Sequence, residues 1–293
     1  MKTSIIIFVF LSLLGSRFPD IGHVEISSTI VEENDSLTIA TRKQYFLTHT
    51  EFGTLTMARE GTHTRAKVPR GRNGQDRSGI TLPVGIDLAK GFSAPRHRLA
   101  IVQELGAVGA LKEWIMEAPA TSGAVARAWL DAHESPSFNS SEIRKLYLFG
   151  YKFFLQRARN RLIGNAPPIA AVAETYRLTE EQFRELAIND GSAEGDYLYE
   201  LLADLAWNSN QFARGRQNDI AKALNITIAE RLAASPFVGD LTKFDKQILR
   251  LKALRVIIED GTIPTSRYGR IDRLAWIDAK VETLERMKRR NGH

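Results

Sequence analysis

The sequence predicts an α+β fold, with a small β-containing lobe packed on a large helical lobe. Three observations predict it. Strict period-two alternation of apolar residues marks one stretch, Ile80, Leu82, Val84, Ile86 and Leu88. From about Ser93 onward the apolar residues recur instead at helical spacing. A chain of 293 residues with 43% hydrophobic and 25% charged residues also has the composition of an ordinary globular protein, without repeats or low-complexity tracts. One short β element beside a long helical body is the α+β arrangement.

Taken in chain order, Lys2 followed by the apolar run Ile5–Leu14 reads as a signal-peptide-like segment over residues 1–16. The run is far shorter than the roughly 20 residues that span a bilayer as a helix. No other segment is long and apolar enough, so no stable membrane span is expected. Export to the periplasm or the medium is the expected destination. Residues 17–42 show no clear periodicity and carry Pro19, Gly22 and the run Glu32-Glu33-Asn34-Asp35, so a poorly ordered leader is expected there. The folded domain is placed at 43–293.

Within it, Phe46, Phe52, Leu55 and Ala58 predict a short helix ending at Arg59-Glu60-Gly61, with Gly61 as the stop. Lys67 to Asp76 is a basic stretch with a turn signal at Asn73-Gly74. The alternating strand follows. Ser93 is placed to cap a helix with Pro95 in its first turn, Ser140 or Ser141 opens another, and Thr179-Glu180-Glu181-Gln182 has capping-box spacing. Helical segments at 197–207, 217–224, 226–234, 243–258 and 271–287 complete the body.

Charge and cysteine content narrow the chemistry. Forty basic against 34 acidic residues give a net charge of +6, which favours an anionic partner such as a nucleic acid, a membrane surface or a bacterial envelope. The absence of cysteine removes disulfides, thiolate nucleophiles and cysteine-bound metals together. None of the six histidines forms a pair with zinc-protease spacing, so no metal and no cofactor are expected. Trp114, Trp129, Trp207 and Trp276 all fall at helical positions, where core packing is the ordinary role and sugar stacking the rarer one.

The polar face of the strand carries Thr81, Pro83, Gly85 and Asp87. In a straight strand Thr81 and Asp87 would stand about 20 Å apart at roughly 3.3 Å per residue. Serving one molecule would require a bend between them, which Pro83 and Gly85 permit. The plainer reading is an edge strand with a solvated polar face, on which Asp87 caps the next turn. Upstream, Glu60 falls at the negative end of a helix dipole, which disfavours its ionised form. A carboxyl kept protonated near neutral pH is what a general acid requires, although an exposed terminal glutamate is the commoner outcome.

Leu55-Thr56-Met57-Ala58-Arg59-Glu60-Gly61, Val68-Pro69, Ser78-Gly79-Ile80-Thr81 and Gly85-Ile86-Asp87-Leu88 together resemble the active-site lobe of the pesticin-like, phage-type lysozyme family. The family pattern runs Glu-Gly, a basic loop, Ser-Gly-(Val/Ile)-Thr, then Asp-Leu. The resemblance implies catalytic roles for Glu60, Thr81 and Asp87 and a lysozyme-like fold. A weaker match, Leu201 to Asn208, is similar to the buried helix of these enzymes and implies Asn208 as a substrate contact. Pro83 and Ala89-Lys90 depart from the usual glycine and Gly-Gln, but no catalytic group is deleted.

The implied activity is hydrolysis of the β-1,4 bond between N-acetylmuramic acid and N-acetylglucosamine in peptidoglycan, with inversion. Arg70 and Lys90, with Arg72 and Arg77, would steer the anionic wall, although a solvated basic loop is the commoner reading of such residues. The family includes antibacterial toxins, so an immunity protein joins peptidoglycan among the expected partners. The alternative is a catalytically silent peptidoglycan-binding module on the same scaffold. A nucleic-acid-binding reading has only the charge behind it, and no nucleic-acid motif, so no nucleic-acid partner is expected.

Overall fold

The computed structural model describes residues 25–60, 63–70, 78–188, 197–208, 217–235, 241–263 and 265–292, with the side chains of 25–34, 60, 208, 217 and 218 left undescribed. The signal-like segment 1–16 lies outside these residues. The chain divides into two units, 1–38 and 39–293, and the second carries the hairpin and the helical body.

Helix α1 (Glu25–Thr48) covers most of the segment read as a leader and contributes residues 39–48 to the second unit. Phe46 is buried there, and Arg42 and Lys43 pair with Asp272 and Glu282 far along the chain. The short helix expected from Phe46 to Glu60 is in fact two elements. α1 ends at Thr48, Phe52 lies in the connecting turn, and α2 (Thr54–Glu60) ends where the sequence placed the stop.

The β element is a two-stranded antiparallel hairpin, β1 (Thr81–Leu82) and β2 (Ile86–Asp87), joined by a 3-10 turn over Pro83–Gly85. It replaces the single strand expected over 80–88. All five alternating apolar residues are nonetheless fully buried, because the turn lets both arms keep the same face inward. Lys67, expected in a basic loop, pairs antiparallel with Thr81 on its other side. β1 is therefore central rather than an edge strand, and Thr81 is buried rather than solvated.

Helices α3 (Pro95–Leu105), α4 (Gly109–Glu117) and α5 (Ala124–Ala132) follow the hairpin. Ala94, not Ser93, is the cap residue of α3, with Pro95 at its first position, where a missing N–H costs nothing. The long helix α6 (Ser140–Leu162) opens on an Asn139–Glu142 capping box. α7 (Ile169–Thr175) and α8 (Glu180–Arg184) lead into the helical body, and α8 carries the predicted Thr179–Gln182 capping box.

The body consists of α9 (Tyr197–Asn208), α10 (Gln217–Ala233), α11 (Lys243–Glu259) and α12 (Arg267–Arg290). The two segments expected at 217–224 and 226–234 are the single helix α10. Every residue from Leu198 to Ala206 is buried, the mark of a helix covered on all sides. α9 packs on α6, α11 and α2. It comes close to α6 at Gly150, where an added Cβ would stand 2.1 Å from the Trp207 ring. Trp276 is fully buried, and Trp207 stacks on Phe154 at 4.8 Å, so both serve the core. Among the described residues the chain is thus mostly helical with a small two-stranded antiparallel sheet, an α+β class.

Candidate active site

The hairpin turn does what the sequence required of Pro83 and Gly85. Thr81 and Asp87 are direct partners across the two strands. Residues so placed carry their Cβ atoms about 4.5–5.5 Å apart on one face. The turn needs two left-handed residues, Gly85 at φ +81° and Val84 at φ +58°. A β-branched residue there is strained by about 1–2 kcal/mol. Val84 is fully buried, and burying its side chain, worth about 1.5–3 kcal/mol, offsets that strain. The turn is wedged between α2 and α6, so the helix that ends in Glu60 packs directly on the hairpin.

Asp87 is half-buried and its carboxylate is held by the main chain. Oδ1 accepts from the N–H groups of Ala89 (2.8 Å) and Lys90 (3.1 Å), and Oδ2 accepts from Gly79 N–H (3.2 Å). A carboxylate offers about four lone-pair sites, so roughly one is left for a water. Gly79 is required by this contact: an added Cβ would stand 2.8 Å from Asp87 Oδ1 and 2.3 Å from the Ala89 Cβ. The Thr81 hydroxyl donates to the Gly79 carbonyl at 3.3 Å and keeps its lone pairs free to accept.

The exit from the Asp87 turn is fixed by Arg98, a buried cation whose guanidinium donates to the carbonyls of Leu88 (3.0 Å), Met116 (3.1 Å) and Ala118. It thereby also closes the end of α4, the position where a helix favours a cation.

Of the other predicted residues, Glu60 is the last residue of α2 and Asn208 the last of α9; their side chains lie outside the described residues. Lys90 is exposed beside Asp87, and Arg70 is exposed at the end of the segment paired with β1. Arg72 and Arg77 lie outside the described residues. The structure thus pairs Thr81 with Asp87 across the hairpin, places Lys90 in the turn that follows, and sets α2 against the hairpin turn.

A set of buried charges that the sequence reading did not single out fastens α2 to the helical body. Asp204, fully buried on α9, accepts from Thr56 Oγ1 (3.1 Å) and from Arg273 Nε (2.8 Å), with Arg59 at 3.6 Å. Burial lowers the pKa of Arg273, and the Asp204 carboxylate opposes that shift. One turn earlier, Glu200 Oε1 accepts from Gly53 N–H at 2.9 Å. Burial pushes its pKa up to about 7, with the Gly53 N–H and Lys280 pulling it down and Asp204 pushing it up. The available signal was two acids four residues apart in an otherwise apolar helix, which share one face.

Two cavities, of about 480 and 560 Å³, flank the start of α2 and share Glu51 and Met57 in their walls. Among the described residues neither is lined by Thr81 or Asp87. Also among the described residues, no cluster of His, Asp and Glu could hold a metal, and no helix is long and apolar enough to cross a membrane. No protein-family model, curated protein or solved structure matches the chain.

Proposed function

We propose that the protein is a peptidoglycan hydrolase of lysozyme-like fold that cleaves the β-1,4 bond between N-acetylmuramic acid and N-acetylglucosamine. The observation that carries this reading is the hairpin, which sets Thr81 opposite Asp87 and whose turn packs against the helix that ends in Glu60. In the proposed mechanism Glu60 protonates the departing glycosidic oxygen. Asp87, using its remaining lone-pair site, takes the proton of a water held by the Thr81 hydroxyl, and that water attacks from the opposite face of the sugar. Such an inverting pair stands roughly 6.5–9.5 Å apart. Lys90 and Arg70 supply positive charge for the anionic wall, consistent with the net +6.

General acid catalysis contributes about 100- to 10,000-fold, so Glu60→Gln removes most turnover while the fold survives. Turbidity loss of purified sacculi, with mass spectrometry of the released fragments, measures this. Reducing muramic acid ends released by the wild type and absent from the mutant digest are the expected outcome.

One observation favours a second reading, a silent wall-binding module. Three main-chain N–H groups already occupy the Asp87 carboxylate, as they would in a residue that only caps a turn. Intact sacculi that bind wild type and Glu60→Gln equally would select it.

A further inference from the structure

Glu200 and Lys280 are each 2% exposed and converge on the turn that leads into α2. Glu200 Oε1 accepts from Gly53 N–H at 2.9 Å, and Lys280 Nζ donates to the Thr50 carbonyl at 3.3 Å. The turn between them is tight. Glu51 O accepts from both the N–H (3.2 Å) and the hydroxyl (2.6 Å) of Thr54. Gly53 sits at φ +89°, and an added Cβ would stand 2.3 Å from the Tyr147 ring. Glu200 Oε2 has no hydrogen-bond partner among the described residues. A fold that needed only to cover this end of the body would do so better with apolar side chains, because desolvating two charges is costly. The pair is therefore better explained by what it holds.

We infer that Glu200 and Lys280 are positioning residues for the hydrolysis proposed above: from inside the helical body they clamp the Thr50–Gly53 turn, and through α2 they set where Glu60 stands. The inference rests on Glu60 being the acid. α2 is a seven-residue helix of about 10 Å, short and stiff enough to carry a shift at Gly53 to its far end.

The clamp is also sensitive to pH. The groups that bear on Glu200 are Lys280 from α12 and Asp204 from α9, and Tyr147 and Tyr197 in turn feel its charge. As pH falls through about 7, Glu200 takes up a proton. The Gly53 hydrogen bond then loses its charge assistance, and Lys280 loses its counter-charge.

The test measures kcat/KM on solubilised sacculi from pH 5 to 9 for wild type, Glu200→Gln and Lys280→Met, with amide exchange at Gly53 in the same proteins. The wild type should show an acid limb centred near 7, matched by falling Gly53 protection. Glu200→Gln keeps an oxygen for Gly53 but cannot titrate, so the limb should vanish and turnover at pH 8 should drop about fivefold, the loss of charge assistance in one hydrogen bond. Lys280→Met should move the limb to higher pH, and it carries the test alone if Glu200→Gln does not fold. A Glu200→Gln profile identical to wild type, in turnover and in Gly53 protection, overturns the inference. If the wild type hydrolyses nothing at any pH, the hydrolase reading falls and the catalytic role falls with it. Gly53 protection that still tracks pH only in the wild type would then separate that result from failure of the clamp itself.

Discussion

Two buried or half-buried aspartates, held in opposite ways, divide the molecule. Asp87 is bound by main-chain N–H groups of Gly79, Ala89 and Lys90, which flank the hairpin. Asp204 is bound by side chains of α2 and α12, 148 and 69 residues away in sequence. The first carboxylate takes its hydrogen bonds from backbone within eight residues of it in sequence. The second exists in its present state only when three distant helices have met. A main-chain cradle leaves a carboxylate partly open to water and to chemistry, whereas a closed cage of side chains uses the charge up in holding elements together.

The sharpest way to break this contrast is Arg273→Met. It removes the 2.8 Å guanidinium hydrogen bond from the buried Asp204 carboxylate, leaving Arg59 at 3.6 Å and the Thr56 hydroxyl, and should cost about 1.5–3 kcal/mol, read as a lower urea midpoint. Removing the charge as well, in Asp204→Asn with Arg273→Met, should recover part of that loss. A single mutant as stable as wild type would mean Arg273 holds nothing there.

The next effect is on pH dependence. Glu200 has a folded pKa of about 7, above its ordinary 4.5, so between these values the folded chain binds more protons than the unfolded one. The stability this contributes is fully present below about 4.5 and is lost as pH rises through 7, where the curve levels. Thermal midpoints of wild type and Glu200→Gln across that window test it, the mutant lacking this component of the fall. The same protonation that stabilises the fold relaxes the Gly53 clamp, so stability and turnover should run in opposite directions with pH.

A smaller change sharpens the hairpin side. Gly79→Ala drives a methyl group into Ala89 and the Asp87 carboxylate, at a cost of about 1–3 kcal/mol. It should also depress turnover beyond what the fraction folded explains, because Asp87 is displaced. The smallest expected effect is that of Val84→Gly, in which relief of left-handed strain opposes lost burial, for a net loss of about 1 kcal/mol. Chemical denaturation of both variants ranks them.

Legibility in the sequence divides along the same line. The buried face of the hairpin was legible because its determinants are consecutive: alternation fixed that face, and Pro83 and Gly85 permitted the bend, although a single strand was expected. The left-handed Val84 was not legible, since no propensity favours a β-branched residue there and only its burial makes it tolerable. The end of α2 at Glu60 was legible from Arg59-Glu60-Gly61. Its beginning was not, because Thr50–Gly53 is shaped by Glu200, Lys280 and Tyr147, between 94 and 230 residues downstream. α1 escaped the reading for a related reason. Its sequence has no amphipathic stripe, and its second-unit part is held by Phe46 burial and by ion pairs to α12.

The attachment of α2 to α12 has a consequence during synthesis. Arg273 and Lys280 leave the ribosome more than 200 residues after the helix they hold. Until then Asp204 lacks Arg273 and the Thr50 carbonyl lacks its ammonium group, so α2 is without these two attachments. Domains fold as units, and contacts of such long sequence separation form late. On the nascent chain α2 therefore lacks the contacts that hold it, and under the proposed function hydrolysis would have to wait until α12 docks.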